Sequence, residues 1–119
     1  MKETLFVYGT LMPNCPNAYV LENIVGKFVP ATVRGFLKDA GWSASMGYPG
    51  IKLNDDGDTV HGFLFYSDNL INHWDFLDEF EGAEFQRVPV TVERFDEFEE
   101  DTFIYVLKAS EEELKEDIL

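Results

Sequence analysis

The sequence predicts an α+β domain built on a small, mostly antiparallel, barrel-like sheet with flanking helices. Two observations support this fold class. Most of the predicted strands follow one another through short links, whereas helices lie only between and after them. Hydrophobic residues make up 45% of the 119 residues, and 11 of these are Phe, which suits one compact core. We therefore expect a single domain over residues 1–119.

The first half of the chain predicts a strand, a short helix and a second strand. Residues 4–8 are an apolar run that Gly9 stops, as expected for a strand followed by a tight loop. Residues 18–24 have helical character, and residues 27–36 alternate well enough to form a strand. Residues 37–50 are rich in Gly, Ser and Ala and predict an irregular loop.

Further strands are predicted in the second half. Residues 51–53 and 59–66 predict a β-hairpin across the turn Asn54-Asp55-Asp56-Gly57. Residues 85–95 and 102–107 predict two more strands, joined by an acidic loop. The spacing Ser-Glu-Glu-Glu at the start of the tail is typical of a capping box that opens a final helix at Ser110.

Residues 68–81 predict an amphipathic helix with apolar positions at Leu70, Ile71, Trp74, Leu77 and Phe80. At about 100° per residue, Glu81 falls near the middle of this apolar stripe and Glu79 points to the opposite side. Gly82 ends the helix, so burial and the negative end of the helix dipole would both raise the pKa of Glu81 toward neutrality. A carboxyl group of that kind can take up and return protons. The equally open alternative is a frayed last turn in which Glu81 turns out to water.

Composition limits the classes of function. The formal net charge is −14 with only nine Lys and Arg, so we expect no nucleic acid partner, and the acidic runs are interpreted as solvated surface. No run is long enough to span a membrane, and the N-terminus lacks the pattern of a signal peptide. Cys15 is the only cysteine, is interpreted as a buried filler, and excludes an internal disulfide, so we expect a cytoplasmic location. Neither His61 nor His73 lies in a recognisable metal motif, and we expect no metal.

The segment Tyr8-Gly9-Thr10-Leu11 is a second feature of chemical interest. A strand that ends in Gly exposes successive backbone N–H groups, and such a nest can hold a carboxylate or a developing oxyanion. Turns of this composition are common, so an ordinary turn is the competing interpretation.

Five motifs in order resemble those of the gamma-glutamylcyclotransferase-like family. The resemblance covers residues 4–107 and is closest to the small bacterial members and the gamma-glutamylamine cyclotransferases. The motifs are Leu5-Phe6-Val7-Tyr8-Gly9-Thr10-Leu11, Tyr48-Pro49-Gly50, Val60-His61-Gly62-Phe63-Leu64-Phe65, Leu77-Asp78-Glu79-Phe80-Glu81-Gly82 and Gln86-Arg87-Val88.

The resemblance implies a fold, a reaction and a site. The family fold is a small mixed barrel with flanking helices, and its reaction releases 5-oxoproline and a free amine without a metal or organic cofactor. Glu81 matches the general acid/base. Tyr8, Gly9, Thr10 and Leu11 match the loop that binds the gamma-glutamyl group, largely through backbone amides.

Other candidate substrate contacts have a structural alternative. Arg87 can pair with the substrate α-carboxylate, but a structural ion pair with Glu84 or Asp78 is the favoured interpretation. Tyr105 occupies a place where family members often have a pocket tyrosine, although a strand residue of this type is as readily core. Phe85 stands where members often carry Tyr, so one hydroxyl is missing and the substrate range is in question. Trp42, Tyr48 and Pro49 either wall a cleft or pack over the barrel end.

The leading hypothesis is a cyclotransferase acting on a gamma-glutamyl amine or peptide. A second hypothesis is a non-catalytic binding module for a gamma-glutamyl or amino-acid metabolite, which the presence of Glu81 disfavours. A third is an interaction protein that uses its acidic surface. Neither the leaving amine nor the oligomeric state follows from the sequence.

Overall fold

The computed structural model describes residues 3–9, 11–39, 49–82 and 85–107. Within these ranges no helix is long and apolar enough to cross a membrane. The elements are, in chain order, β1 (Glu3–Val7), α1 (Ala18–Glu22), β2 (Lys27–Asp39), β3 (Pro49–Leu53), β4 (Asp58–Ser67), a 3₁₀ turn (Leu70–Asn72), α2 (Trp74–Glu81), β5 (Phe85–Arg94) and β6 (Glu99–Leu107).

Five of the strands close into a barrel. Each strand pairs with the next in the circular order β1, β4, β2, β5, β6 and back to β1. The β1–β6 pair is parallel, with Leu5 opposite Phe103, and the other four pairs are antiparallel. Closure depends on Ala31 of β2, which lies between Gly62 of β4 and Arg94 of β5. The predicted fold class, a mostly antiparallel barrel with flanking helices, is confirmed.

The core has two layers because successive residues of a strand point to opposite faces. One buried cluster draws only on strands and fills the barrel; its largest members are Phe6, Leu64 and Ile104. The other contains Leu5 and Phe65 together with Leu70 and Leu77 from the helical segment, so it lies between the barrel wall and the helices. Full burial of each such side chain contributes about 1.5–3 kcal/mol. The second layer is what holds α2 against the barrel.

The predicted hairpin between residues 51–53 and 59–66 is wrong. Both strands pair with β2, Leu53 opposite Gly35 and Val60 opposite Val33, and both run antiparallel to it. The turn at 54–57 therefore joins two strands that point the same way. At 13 residues β2 is long enough to offer one stretch to β3 and another to β4, and this pairing overrides the local turn signal.

The helix predicted over residues 68–81 is only partly right. The chain forms a 3₁₀ turn, breaks at His73 and then begins α2. The break changes the phase of the apolar stripe. Leu70 and Leu77 are fully buried as predicted, but Ile71 is 63% exposed and Phe80 is 37% exposed.

The loop predicted over residues 37–50 is wrong at both ends. Residues 37–39 continue β2, and Pro49 and Gly50 begin β3 and pair with Asp39 and Lys38. Residues 40–48 and the predicted helix at Ser110 lie outside the described residues. The predicted short helix at 18–24 is present as α1, and the predicted strands at 4–8, 27–36, 85–95 and 102–107 are present with shifted ends.

Candidate active site

Glu81 is the last residue of α2 and lies partly buried at the point where the helix meets the barrel. Its carboxyl group is removed from water, and this desolvation raises the pKa of Glu81 from 4.5 to about 7. The turn is not frayed, because the Gly82 N–H donates to the carbonyl oxygen of Asp78 at 3.2 Å. Gly82 then takes a φ of 89°, which favours glycine and ends the helix. Glu79 is exposed, as predicted.

Tyr8 follows β1 and fastens three elements together. Its hydroxyl donates to the carbonyl oxygen of Tyr105 at 2.6 Å and accepts from the Ile51 N–H at 3.0 Å. Its ring stacks on that of Phe6, with the centroids 6.4 Å apart. Burial chiefly raises the pKa of Tyr8, and the negative charge of Glu81 raises it further. Tyr8 is thus a neutral phenol within electrostatic reach of Glu81.

Tyr105 lies in β6 and reaches toward α2. Its hydroxyl donates to Oδ1 of Asp78 at 2.6 Å, and the residue is only 4% exposed. Burial chiefly raises the pKa of Tyr105, followed by Asp78, and the charge of Glu81 acts in the same direction. Tyr105 belongs to the core cluster and also lines the cavity beside α2.

Arg87 forms a structural ion pair. Its Nη2 lies 3.5 Å from Oδ2 of Asp78, and its guanidinium carbon lies 4.2 Å from the Trp74 ring centroid and 5.6 Å from that of Phe103. Asp78 was one of the two partners expected, and the other, Glu84, lies outside the described residues. Among the described contacts, the buried Nη1 of Arg87 has no hydrogen-bond partner.

A cavity of about 350 Å³ lies at the C-terminal end of α2, and Glu81 is not among its lining residues. It is lined by Asp78, Gly82, Phe85, Gln86, Arg87 and Tyr105. Phe85, which has no hydroxyl, thus stands in the wall of this cavity. The cavity is large enough for a small organic group.

The loop after β1 is described in part. The Met12 N–H donates to the carbonyl oxygen of Gly9 at 3.2 Å, and Leu11 is buried in the layer beneath the helices. No heavy atom of the described residues lies within 4 Å of the place that a Cβ of Gly9 would occupy. Thr10 lies outside the described residues, as does Tyr48 together with Trp42. Of the predicted site residues, Tyr8 and Tyr105 both lie within electrostatic reach of Glu81.

Asp78 is the site residue that sequence reasoning undervalued. It entered only as a possible partner of Arg87, yet it accepts from Tyr105, pairs with Arg87 and lines the cavity. The sequence did contain a signal for this residue. Asp78 lies three positions before Glu81, and residues three apart lie on the same side of a helix.

Among the residues that the structure describes, no three His, Cys, Asp or Glu side chains are grouped so that they could hold a metal ion. His73 Nδ1 lies 2.8 Å from the carbonyl oxygen of Asn69, a contact within its own turn.

The chain is similar to known proteins both in sequence and in structure. The family model described as gamma-glutamyl cyclotransferase, AIG2-like, matches residues 5–119. A search of curated proteins returned no significant match.

Several solved structures are similar to the chain. An AIG2-like protein from Mus musculus is 24% identical with a TM-score of 0.73, over 95% of this chain and 82% of that one. The protein At5g39720.1 from Arabidopsis thaliana is 29% identical with a TM-score of 0.64, over 94% and 74%. YkqA from Bacillus subtilis is 26% identical with a TM-score of 0.66 over 92% of this chain, which spans only 37% of YkqA.

Proposed function

The chain belongs to the gamma-glutamyl cyclotransferase, AIG2-like family, and we propose that it converts a gamma-glutamyl amine or peptide into 5-oxoproline and a free amine. The observation that carries this proposal is Glu81, whose carboxyl group is partly buried and has a pKa of about 7. That value suits a group that must accept a proton and return it at neutral pH. We assign Glu81 the role of general acid/base.

The first step is deprotonation of the substrate. Near neutral pH the α-amine is an ammonium ion, which has no lone pair for attack. Glu81 in its carboxylate form removes one proton, and the amine nitrogen then bonds to the γ-carbonyl carbon of the same glutamyl group. Because both reacting atoms belong to one molecule, the protein does not need to bring two reactants together. It needs only to hold the substrate in a conformation in which the amine reaches the γ-carbonyl carbon.

Ring closure places negative charge on the γ-carbonyl oxygen. We assign its stabilisation to the backbone amides of the loop Gly9, Thr10 and Leu11, because donors already fixed in place need no reorganisation as charge develops. When this tetrahedral intermediate collapses, the bond from the γ-carbon to the leaving nitrogen breaks. Glu81 returns its proton to that nitrogen, and the second proton of the ring nitrogen also passes to the departing amine, so 5-oxoproline and an ammonium ion leave and the carboxylate is restored.

The phenols of Tyr8 and Tyr105 form the neutral surroundings of Glu81. Both have a raised pKa, chiefly through burial, and each hydroxyl already donates to a protein acceptor. We therefore propose that they shape the pocket and shield Glu81 from water. Tyr48 and Arg87 remain proposed substrate contacts, Arg87 through the Nη1 that has no partner among the described contacts.

The proposal is tested by measuring 5-oxoproline release from a panel of gamma-glutamyl amines and peptides. We expect release by the wild type and by Glu79→Gln, a matched control that removes an exposed carboxylate from the same helix. We expect Glu81→Gln to lose turnover by several orders of magnitude while it remains folded. Near wild-type release by Glu81→Gln would contradict the assignment of Glu81.

The same panel distinguishes catalysis from binding alone. If no compound releases 5-oxoproline but one of them raises the melting temperature, the chain is a binding module for that metabolite. If neither release nor stabilisation is found, the cyclotransferase proposal fails.

A further inference from the structure

We propose that Asp78 is a positioning residue for Glu81, because it ties the last turn of α2 to the barrel through Tyr105 and so sets how deeply Glu81 is buried. The inference rests on the proposed function in one respect: Glu81 is the group whose placement matters for catalysis. The tie itself is a property of the folded chain and can be measured without turnover.

The side chain of Asp78 is held from two sides. The Tyr105 hydroxyl donates to Oδ1 at 2.6 Å, and the Arg87 guanidinium lies 3.5 Å from Oδ2. Arg87 is itself held against the Trp74 ring at 4.2 Å. The bond from Tyr105 is the stronger of the two restraints, because it is a short hydrogen bond to a carboxylate, whereas the contact with Arg87 is a longer and partly exposed ion pair.

The backbone of Asp78 acts on the same turn. Its carbonyl oxygen accepts from the Gly82 N–H, which closes the final turn of the helix around Glu81. Because Asp78 lies three residues before Glu81, both side chains leave the helix on the same side. Movement of one relative to the barrel therefore moves the other.

Among the described residues, the other contacts that hold α2 lie toward its start, where the Trp74 ring packs edge-on against Phe103 of β6. The helix has eight residues, its first turn has no side-chain cap, and Leu77 is its buried residue. A helix this short is marginal in water without tertiary contacts. Phe76 and Phe80 are 52% and 37% exposed and contribute little packing. Loss of the bond between Asp78 and Tyr105 should thus let the last turn move outward.

The groups that face Glu81 indicate that its pKa depends on how deeply it is buried, and not on a neighbouring charge. Tyr8 approaches from the end of β1 and Tyr105 from β6, and both are neutral phenols. Asp78 lies on the same helix, with its charge countered by Arg87 of β5. Desolvation is the cause of the raised pKa of Glu81, so a more hydrated Glu81 should titrate closer to its ordinary value of 4.5.

The test is an NMR titration of the Glu81 carboxyl carbon in protein labelled with ¹³C-glutamate, assigned with Glu81→Gln. Tyr105→Phe removes the hydroxyl but keeps the Asp78 charge, and Asp78→Ala removes both restraints. We expect each to lower the pKa of Glu81 by about one unit or more. Asp78→Asn keeps an oxygen that accepts from Tyr105, so we expect it to restore most of the wild-type value. Glu79→Gln is the control and should leave the pKa unchanged.

The acid limb of the pH profile of kcat/KM should move to lower pH in the same variants, in parallel with the NMR titration. A wild-type Glu81 pKa in folded Tyr105→Phe would overturn the proposal, whatever Asp78→Ala does. If Asp78→Asn shifts the pKa as far as Asp78→Ala, the charge of Asp78 rather than its bond is responsible, and the proposal is again overturned. Absence of turnover in the wild type would end the cyclotransferase proposal and leave this titration fully interpretable.

Discussion

The Tyr8 hydroxyl donates a 2.6 Å hydrogen bond to the carbonyl oxygen of Tyr105, and this bond extends the parallel pairing of β1 with β6. The backbone register between the two strands pairs Leu5 with Phe103 and Phe6 with Ile104. One residue further along, the link between the two strands is made by the side chain of Tyr8 instead of by the backbone. The same hydroxyl also accepts a hydrogen bond from the Ile51 N–H in β3. One phenol thereby links the end of β1 to β6 and β3, within electrostatic reach of Glu81.

Replacing Glu81 by Gln should stabilise the protein at alkaline pH. The folded-state pKa of Glu81 is about 7 against 4.5 for the exposed group, so folding favours the protonated form. The stability from this protonation is complete below pH 4.5 and is lost as the pH rises through 7. Glu81→Gln carries no such penalty and should gain up to about 3 kcal/mol over wild type above pH 7. Urea unfolding at pH 4, 6 and 8 measures the difference, and a gain that does not grow with pH would contradict it.

Tyr8→Phe should lower the free energy of unfolding by about 1–3 kcal/mol, because two buried backbone groups lose their partner. These groups are the Ile51 N–H and the carbonyl oxygen of Tyr105. The ring itself remains and can keep its stacking on Phe6. The matched control is Tyr19→Phe, at a residue that is 56% exposed, and should change stability by less than about 0.5 kcal/mol. Equal stabilities for the two variants in a denaturant titration would show that the Tyr8 hydroxyl carries no structural role.

Gly62→Ala should be destabilising and Gly9→Ala tolerated. A Cβ at Gly62 would lie 2.2 Å from the carbonyl oxygen of Val7 in the neighbouring strand β1, and such overpacking costs about 1–3 kcal/mol. A Cβ at Gly9 would meet no heavy atom within 4 Å in the part of the chain that the structure describes. Thermal unfolding of the two variants tests this contrast. If Gly9→Ala is as stable as wild type but loses turnover, the substrate approaches this loop as proposed.

Arg87→Met should lower the free energy of unfolding, because the ion pair with Asp78 is lost, and should also raise KM, because the proposed contact with the substrate is lost. The substitution keeps an apolar chain beside Trp74 but leaves the Asp78 carboxylate without its cation. Because this ion pair is partly exposed, we expect a loss of only about 1 kcal/mol. Denaturant unfolding and steady-state kinetics on the same sample separate the two roles of Arg87. A tenfold rise in KM at unchanged stability would assign it to the substrate carboxylate alone.

The sequence succeeded where a feature depends on neighbouring residues. The apolar run at β1, the short helix α1 and the stop at Gly82 were all predicted from local composition and are present. It failed where two segments compete for one partner. Residues 54–57 are a good local signal for a hairpin turn, but the strands before and after this turn both pair with β2. The residues of the turn carry no information about the length of β2, on which this pairing depends.

The candidate site divides in the same way. The position of Glu81 on the apolar side of a helix end was predictable, whereas the exposure of Ile71 and Phe80 was not, because the break at His73 depends on how the segment packs. The central position of Asp78 was not predicted from the sequence, because its partners Arg87 and Tyr105 come from β5 and β6.

By itself the sequence determined the barrel class, the family and the identity of the candidate acid/base, because short motifs and their order carry that information locally. Only the tertiary structure decided which groups surround Glu81 and why its carboxyl group holds a proton near neutral pH. Desolvation depends on what other parts of the chain place around a residue. Here β1, β6 and α2 meet at Glu81 from positions up to 97 residues apart along the chain, the separation that the bond between Tyr8 and Tyr105 spans.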